Sequence, residues 1–501
     1  MAITLGLDIG TTSTIGILAE SDGRTLALAS RPVTLYAEHP GWAEEDPEQW
    51  WQNVCNLVPE LLARSETSAG DIKAVGVTGM LPAVVLLDGD GKLLRRSIQQ
   101  SDGRVGREVA EIAAEFDGND FVRRTGNGIN QQLVATKLRW LERHEPEVFS
   151  HIRTVFGSYD YINWRLTGER VIEHNWALEA GFLDVASRRL DANLIALGHI
   201  DPVVLPPVRA SHEIIGRVTS AAAAATGLAA GTPVIAGSAD HITSAFVAGI
   251  REDGDCLIKF GGAGDIMLAA ARPKPDPRLF LDFHIVPEKF MPNGCMACSG
   301  AVLNWILSTF ASDAIKSETN PHAALDRLAA GVGPGADGLV MLPYFLGEKT
   351  PIHDPDARGT LVGLGLHHDI GHLWRAALEA VVFGFRHHMD VFSDLDQPAT
   401  RLFASDGGAQ SRLWMQIAAD SLGLSVHLLR GHPGSCLGAA YIAALAVGAV
   451  DDWDGISRFV TPAGVVEPDP TKRARYDALY HAYRDIYAHL RPIYPRLADL
   501  P

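Results

Sequence analysis

Three glycine-rich stretches of this sequence have the composition of anion cradles. The first, Gly10-Thr11-Thr12-Ser13, joins the apolar run Ile3 to Ile9 to a second run, Thr14 to Leu18. The second, Gly261-Gly262-Ala263-Gly264, links Cys256 to Phe260 with Asp265 to Leu268, half a chain length later. Glycine at a turn apex lets backbone N–H groups approach an anion with no Cβ in the way, so each hairpin can hold a phosphate. The third, Asp406-Gly407-Gly408-Ala409-Gln410, follows the strand-like Arg401-Leu402-Phe403-Ala404 and leads into a helix starting near Ser411. A loop at that place faces the free N–H groups and dipole of the helix, which suits phosphate or ribose, so this loop belongs to the same nucleotide site.

The elements that must position these loops repeat. In the first half, strand patterns at Ala74 to Thr78 and Ala83 to Leu87 precede helical stretches, Leu133 to Arg143 and Glu147 to Ile152. The stretch Pro202 to Thr232 reads as a connecting module, followed by the strand Pro233 to Gly237. The second half has helices over about Gly300 to Phe310, His372 to Leu395 and Ala474 to Leu490, and a strand over Leu339 to Tyr344. A chain of 501 residues exceeds what one core supports. The expected domains are 1–245 and 246–501, two related halves gripping a nucleotide between facing hairpins, the architecture of actin-like phosphotransferases and ATPases.

Composition narrows the class further. Hydrophobic content of 47% with 21% charged residues is globular, and a net charge of −17 disfavours nucleic acid or an anionic membrane as partner. The N-terminal run lacks a basic flank and is broken by Asp8, so a cytoplasmic protein is expected. Five cysteines are an odd count in a chain with no export signal, which suggests reduced thiols. Cys295-Met296-Ala297-Cys298 has metal or redox spacing but no second pair, and buried core cysteines are the preferred reading. Neither His367-His368 nor His387-His388 is taken as a metal site, because adjacent helical residues diverge by about 100°.

Longer patterns carry a resemblance. Gly359-Thr360-Leu361-Val362-Gly363-Leu364, followed by His372-Leu373-Trp374-Arg375-Ala376-Ala377-Leu378-Glu379, resembles the C-terminal signature of the FGGY carbohydrate kinase family. Pro343 to Pro351, Asp406 to Ala409, Ser435 to Ala440 and Gly41 to Trp51 are similar to other stretches of that family, its xylulokinase branch most of all. The resemblance covers nearly the whole chain. It implies an α/β fold of two ribonuclease-H-like domains flanking a catalytic cleft, ATP and Mg²⁺ as cofactors, a sugar or polyol acceptor and a homodimer.

Carried onto this sequence, the family pattern implies Asp240, after the buried run Pro233 to Ala239, as the base that accepts the acceptor hydroxyl's proton. In isolation the same residue also reads as a helix cap. Asp8 is implied as the acid that holds Mg²⁺ through water. Gly10, Thr11, Thr12 and Ser13 then meet the ATP phosphates from one side and Gly261, Gly262 and Gly264 from the other, with Gly407, Gly408, Ala409 and Gln410 near the adenosine. The family's basic residue is Ile15 here, and its Gly-Thr-Ser is Gly261-Gly262-Ala263. The sugar wall also departs: Leu81 follows Met80 where relatives have histidine, Gln100 stands where they have a tryptophan, and His241 stands where an asparagine is common. Met80, Leu81, Gln100, Asp102, Trp176 and His241 are the expected wall, with Gln132 and His174 beside them. A ketose or polyol kinase of altered specificity is expected. The alternatives are a tetritol, L-ketose or glycerol-type kinase, and a non-catalytic nucleotide-binding regulator on the same fold.

Overall fold

The computed structural model describes residues 1–430 and 434–498. They form two compact units: one holds 1–249, 271–291 and the described residues of 433–460, and the other holds 250–270 and the described residues of 292–432 and of 461–501. The first crossing lies at 249/250, and two later segments return to the first unit. Each return has a physical reason. The helix Ser435–Ala446 is buried continuously from Ser435 to Ala444 and needs apolar surface all round it, while 271–291 brings a fully buried carboxylate, Asp282, to its partner.

In the first unit the strands lie in the order Ile214–Arg217, Pro233–Ile235, Ile72–Gly79, Ile3–Ile9, Ser13–Glu20, Thr25–Pro32. Ile3–Ile9 and Ser13–Glu20 form the antiparallel glycine hairpin, with Asp8 opposite Ile15. Ile72–Gly79 runs parallel to Ile3–Ile9, and Ser238–Ala239 parallel to Ile72–Gly79. The central strands read as nearly unbroken apolar runs because helices cover them. The helix Ser435–Ala446 packs on Ile3–Ile9 and Ile72–Gly79 so closely that a Cβ on Gly6 would lie 1.9 Å from the Cys436 carbonyl oxygen, and one on Gly76 2.1 Å from that of Ala439. The stretch expected as a connecting module supplies the edge strand Ile214–Arg217 and the helix Ser220–Thr226.

The second unit repeats the frame. The end of Phe290–Met296 pairs with Gly264–Leu268, that with Asp255–Phe260, then come the parallel strands Arg401–Ser405 and Val426–Arg430 and the antiparallel edge Thr461–Val466. Both sheets thus order their strands third, second, first, fourth, fifth, the ribonuclease-H pattern. The sheets differ at their edges; at one of these, Ile214–Arg217 precedes its neighbour in the chain and Thr461–Val466 follows it. Helices Gly300–Phe310, Pro321–Ala330, Ile370–Asp394 and Arg412–Leu422 flank this second sheet.

Candidate functional site

In the first unit the C-terminal ends of three parallel strands converge, the usual place for a ligand in such sheets. Asp8 closes the first, buried, with the Ser435 hydroxyl donating to its Oδ2 at 2.6 Å. Beside it Thr78 donates to the Ser238 carbonyl at 2.7 Å and lies 2.9 Å from the Thr243 hydroxyl. Asp240 follows Ser238–Ala239 as the first residue of the helix Asp240–Val247, with its side chain 38% exposed. Thr78 therefore ties the strand next to Asp8 to the turn that presents Asp240.

The Gly10 turn is closed by a hydrogen bond from the Gly10 N–H to the Ser13 carbonyl at 3.1 Å. Thr12 is exposed, Ser13 half-buried, and Thr11 points its hydroxyl at the Met80 sulfur, 3.7 Å away. The side chains of Asp8, Thr11, Thr12 and Ser13 themselves offer only oxygen ligands. Among the described residues no group of three or more His, Cys, Asp or Glu side chains is arranged to hold a metal ion.

His241 sits between two carboxylates. Its Nε2 lies 3.0 Å from Asp282 Oδ2, its Nδ1 3.6 Å from Asp240 Oδ1, and its backbone N–H donates to that same Asp240 oxygen at 2.5 Å. Burial disfavours the charged ring, but the flanking carboxylates of Asp240 and Asp282 prevail and push its pKa up to about 10. Asp282 and its strand Phe280–Phe283 are the functional residues that sequence reading missed. The signal was present: Leu281-Asp282-Phe283-His284 alternates apolar and polar residues, and both polar ones are buried.

The expected sugar wall divides. Gln100 is half-buried and accepts a hydrogen bond from the Gln132 amide at 3.1 Å, and Met80 and Leu81 are buried at the end of Ile72–Gly79. Trp176 is a correction: it is fully buried, and its indole donates to the Ala83 carbonyl at 2.9 Å, so it packs behind the site and offers no face to a ligand. Asp102 is a second: it has no exposed surface, and its oxygens accept from the Ala43 N–H at 2.6 Å and from the Arg104 guanidinium at 2.8 and 2.7 Å. Arg104 in turn pairs with Glu44 and lies 3.7 Å over the Trp42 ring. Asp102 is thus an internal anchor. His174 is held against Phe283 at 4.6 Å, and burial pushes it down to about 3, so its ring stays neutral. Lys137, fully buried beneath Gln132 and donating to its carbonyl at 3.1 Å, is pushed down to about 7 by burial.

The second unit holds a cavity of about 440 Å³. Phe260, Leu303, Trp374, Leu378 and Trp414 give it apolar walls; Asn304, Asn320, His322 and Gln410 give it polar edges; Gly261, Gly262, Gly300, Gly407 and Gly408 form one end. Asp326 stiffens the wall, accepting from the Trp374 indole at 2.7 Å and the Ser411 hydroxyl at 2.6 Å. The Gly261 carbonyl accepts from the Gly300 N–H and the Gly262 carbonyl from Ser299 and Ala301, which fixes the hairpin on the start of Gly300–Phe310. Such a cavity suits a flat heteroaromatic ring with an anionic tail. Of the glycines expected here, Gly264 is a correction. It is buried in its strand, a Cβ on it would lie 2.7 Å from Phe385, and it does not line the cavity. Ala409 is half-buried and also lies outside the lining, whereas Asn304, Asn320, His322 and Trp374 line it unforeseen.

Two ribonuclease-H-like sheets, each with a glycine hairpin, define the actin-like class of two-domain phosphotransferases. The chain belongs to the FGGY family of carbohydrate kinases, whose N-terminal domain matches residues 3–247 and whose C-terminal domain matches 258–447. It is similar to the solved xylulose kinase from Rhodospirillum rubrum, with 54% identity and a TM-score of 0.94 over 98% of this chain and 99% of that one. It is 28% identical to the xylulose kinase of Bacillus subtilis over 98% of both chains. To the gluconokinase of the same organism it is 27% identical, over 99% of this chain and 97% of the relative. The chain is a sugar kinase that uses ATP. No described helix is long and apolar enough to cross a membrane.

Proposed function

We propose that the chain transfers the γ-phosphoryl group of ATP to a hydroxyl of a ketose or polyol of about the size of a pentulose. The observation that carries this reading is the placement of Asp240, part-exposed at the end of converging parallel strands and on the helix start that Thr78 ties to the Asp8 strand. Asp240 accepts the hydroxyl proton as the oxygen attacks phosphorus. The adenine ring fits between Trp374, Leu378 and Trp414, and the hairpin N–H groups of Gly261 and Gly262 serve the phosphates. Asp8, with Ser435 donating to its Oδ2, fits an ion that prefers oxygen and retains its waters. When bound there, Mg²⁺ supplies neutralisation of phosphate charge. The acidic surface supports a role without nucleic acid, and the homodimer that the family resemblance implies belongs to this reading too.

Xylulose leads the acceptor class because the 54% identical neighbour carries that name. The test is ADP release from Mg-ATP across ketoses, pentitols, tetritols, glycerol and gluconate. Turnover with a ketose or polyol, abolished in Asp240→Asn, is expected. Turnover with gluconate alone overturns the acceptor class, and undiminished activity in Asp240→Asn overturns the mechanism.

A further inference from the structure

We propose that Asp282 is a positioning residue that acts through His241 on Asp240, an inference that rests on the reading of Asp240 as the base. Asp282 reaches this place by an unusual route. Its strand Phe280–Phe283 returns to the first unit and is pinned on both sides of Asp282 by side-chain amides that imitate a neighbouring strand. Asn127 accepts from the Leu281 N–H and donates to the Leu281 carbonyl, both at 3.2 Å. Asn175 accepts from the Phe283 N–H at 2.7 Å and donates to the Phe283 carbonyl at 3.2 Å. The carboxylate between them has no exposed surface, and its Oδ2 faces the imidazole at 3.0 Å.

That geometry dictates the proton positions. An acceptor at Nε2 requires a proton there, so a neutral ring would turn the lone pair of Nδ1 towards the Asp240 oxygen 3.6 Å away, which is repulsive. A ring protonated on both nitrogens gives each carboxylate a donor. The charged groups around it are Asp240 on its own helix, Asp282 on Phe280–Phe283, and Glu179 at the end of His174–Glu179, with Lys137 on Val134–His144 beyond. Burial and the neighbouring Asp282 push the Glu179 carboxyl up, which favours its neutral form beside the ring. The ring's own value of about 10 agrees with an imidazolium held at neutral pH.

An imidazolium beside Asp240 brings a positive charge that an asparagine lacks, and that charge favours the ionised, proton-accepting carboxylate at lower pH. The backbone N–H of His241 meanwhile holds one carboxylate oxygen, leaving the other for the acceptor hydroxyl.

The test is the acid limb of kcat/KM against pH for wild type, His241→Asn and Asp282→Asn, together with NMR titration of labelled histidine, the His241 signal being the one lost in His241→Asn. Removing the cation raises the pH at which Asp240 loses its proton, so the limb in His241→Asn is expected to move up by about one to two pH units. Asp282→Asn is expected to move it part of that way and to bring the ring's midpoint down from about 10, towards about 6.5. An unmoved limb in His241→Asn overturns the proposal. So does a wild-type ring that titrates at about 6.5, a readout independent of activity and of whether Asp282→Asn folds. If Asp240→Asn is inactive and the ring titrates normally, the base stands and the pair falls; if Asp240→Asn is fully active, both fall.

Discussion

The two sheets share one strand order and close on opposite chemistry. In the first, the hairpin strand carries Asp8 beside Thr78, and Asp240 follows the next parallel strand. In the second, the matching register sets Lys259 beside Ser405, and the loops that follow are glycines opening on an apolar cavity. The frame supplies places, and a few residues at strand ends decide what each place does. A duplicated fold can thus divide proton transfer and nucleotide holding between its halves with no change of topology.

Substitutions at matching places break or sharpen this contrast. The largest effect is expected for Asp240→Asn, a fall in kcat of about 10³-fold with ATP binding by calorimetry unchanged. Asp8→Asn should lower kcat/KM by about 10- to 100-fold and raise the Mg²⁺ concentration for half-maximal rate, which a magnesium titration checks. The glycines of the second hairpin should separate from each other. Gly264→Ala meets Phe385 and should destabilise by about 1–3 kcal/mol in thermal or urea unfolding. Gly262→Thr faces open space, so it should leave unfolding unchanged and alter KM for ATP only. The smallest effect on turnover is expected for Trp176→Phe: it removes the bond to Ala83, costs about 1–3 kcal/mol of stability, and leaves KM for the sugar where it was.

Much of this contrast was legible in the residues. The hairpins, the third glycine loop and the helix Gly300–Phe310 follow from local pattern, since a glycine turn between apolar runs or an apolar period is written over neighbouring residues. Asp8 and Asp240 became candidates through the family resemblance, with an apolar run leading up to each. What failed was non-local. Nothing near Gly264 says that Phe385 fills its missing side chain, and nothing near Trp176 says that its indole is satisfied by Ala83. Asp102 was expected as a ligand because it keeps the aspartate of the family's Asx-Asp-Gly-Arg stretch, but Arg104, two residues on, folds back and consumes it. The return of 271–291 is of the same kind: Asn127 and Asn175 hold it through amides more than 100 residues away in sequence.

The contact of Ser435–Ala446 with Gly6 and Gly76 has a consequence for how the protein is made. One face of the first sheet is covered by a helix that is translated hundreds of residues after the strands it covers. At roughly 5–20 residues per second the nascent chain carries that apolar face uncovered for tens of seconds. Nascent chains stopped before Ser435 should therefore be clients of holdase chaperones, and expression of residues 1–249 as a separate piece should yield aggregate, whatever the quality of its own strands.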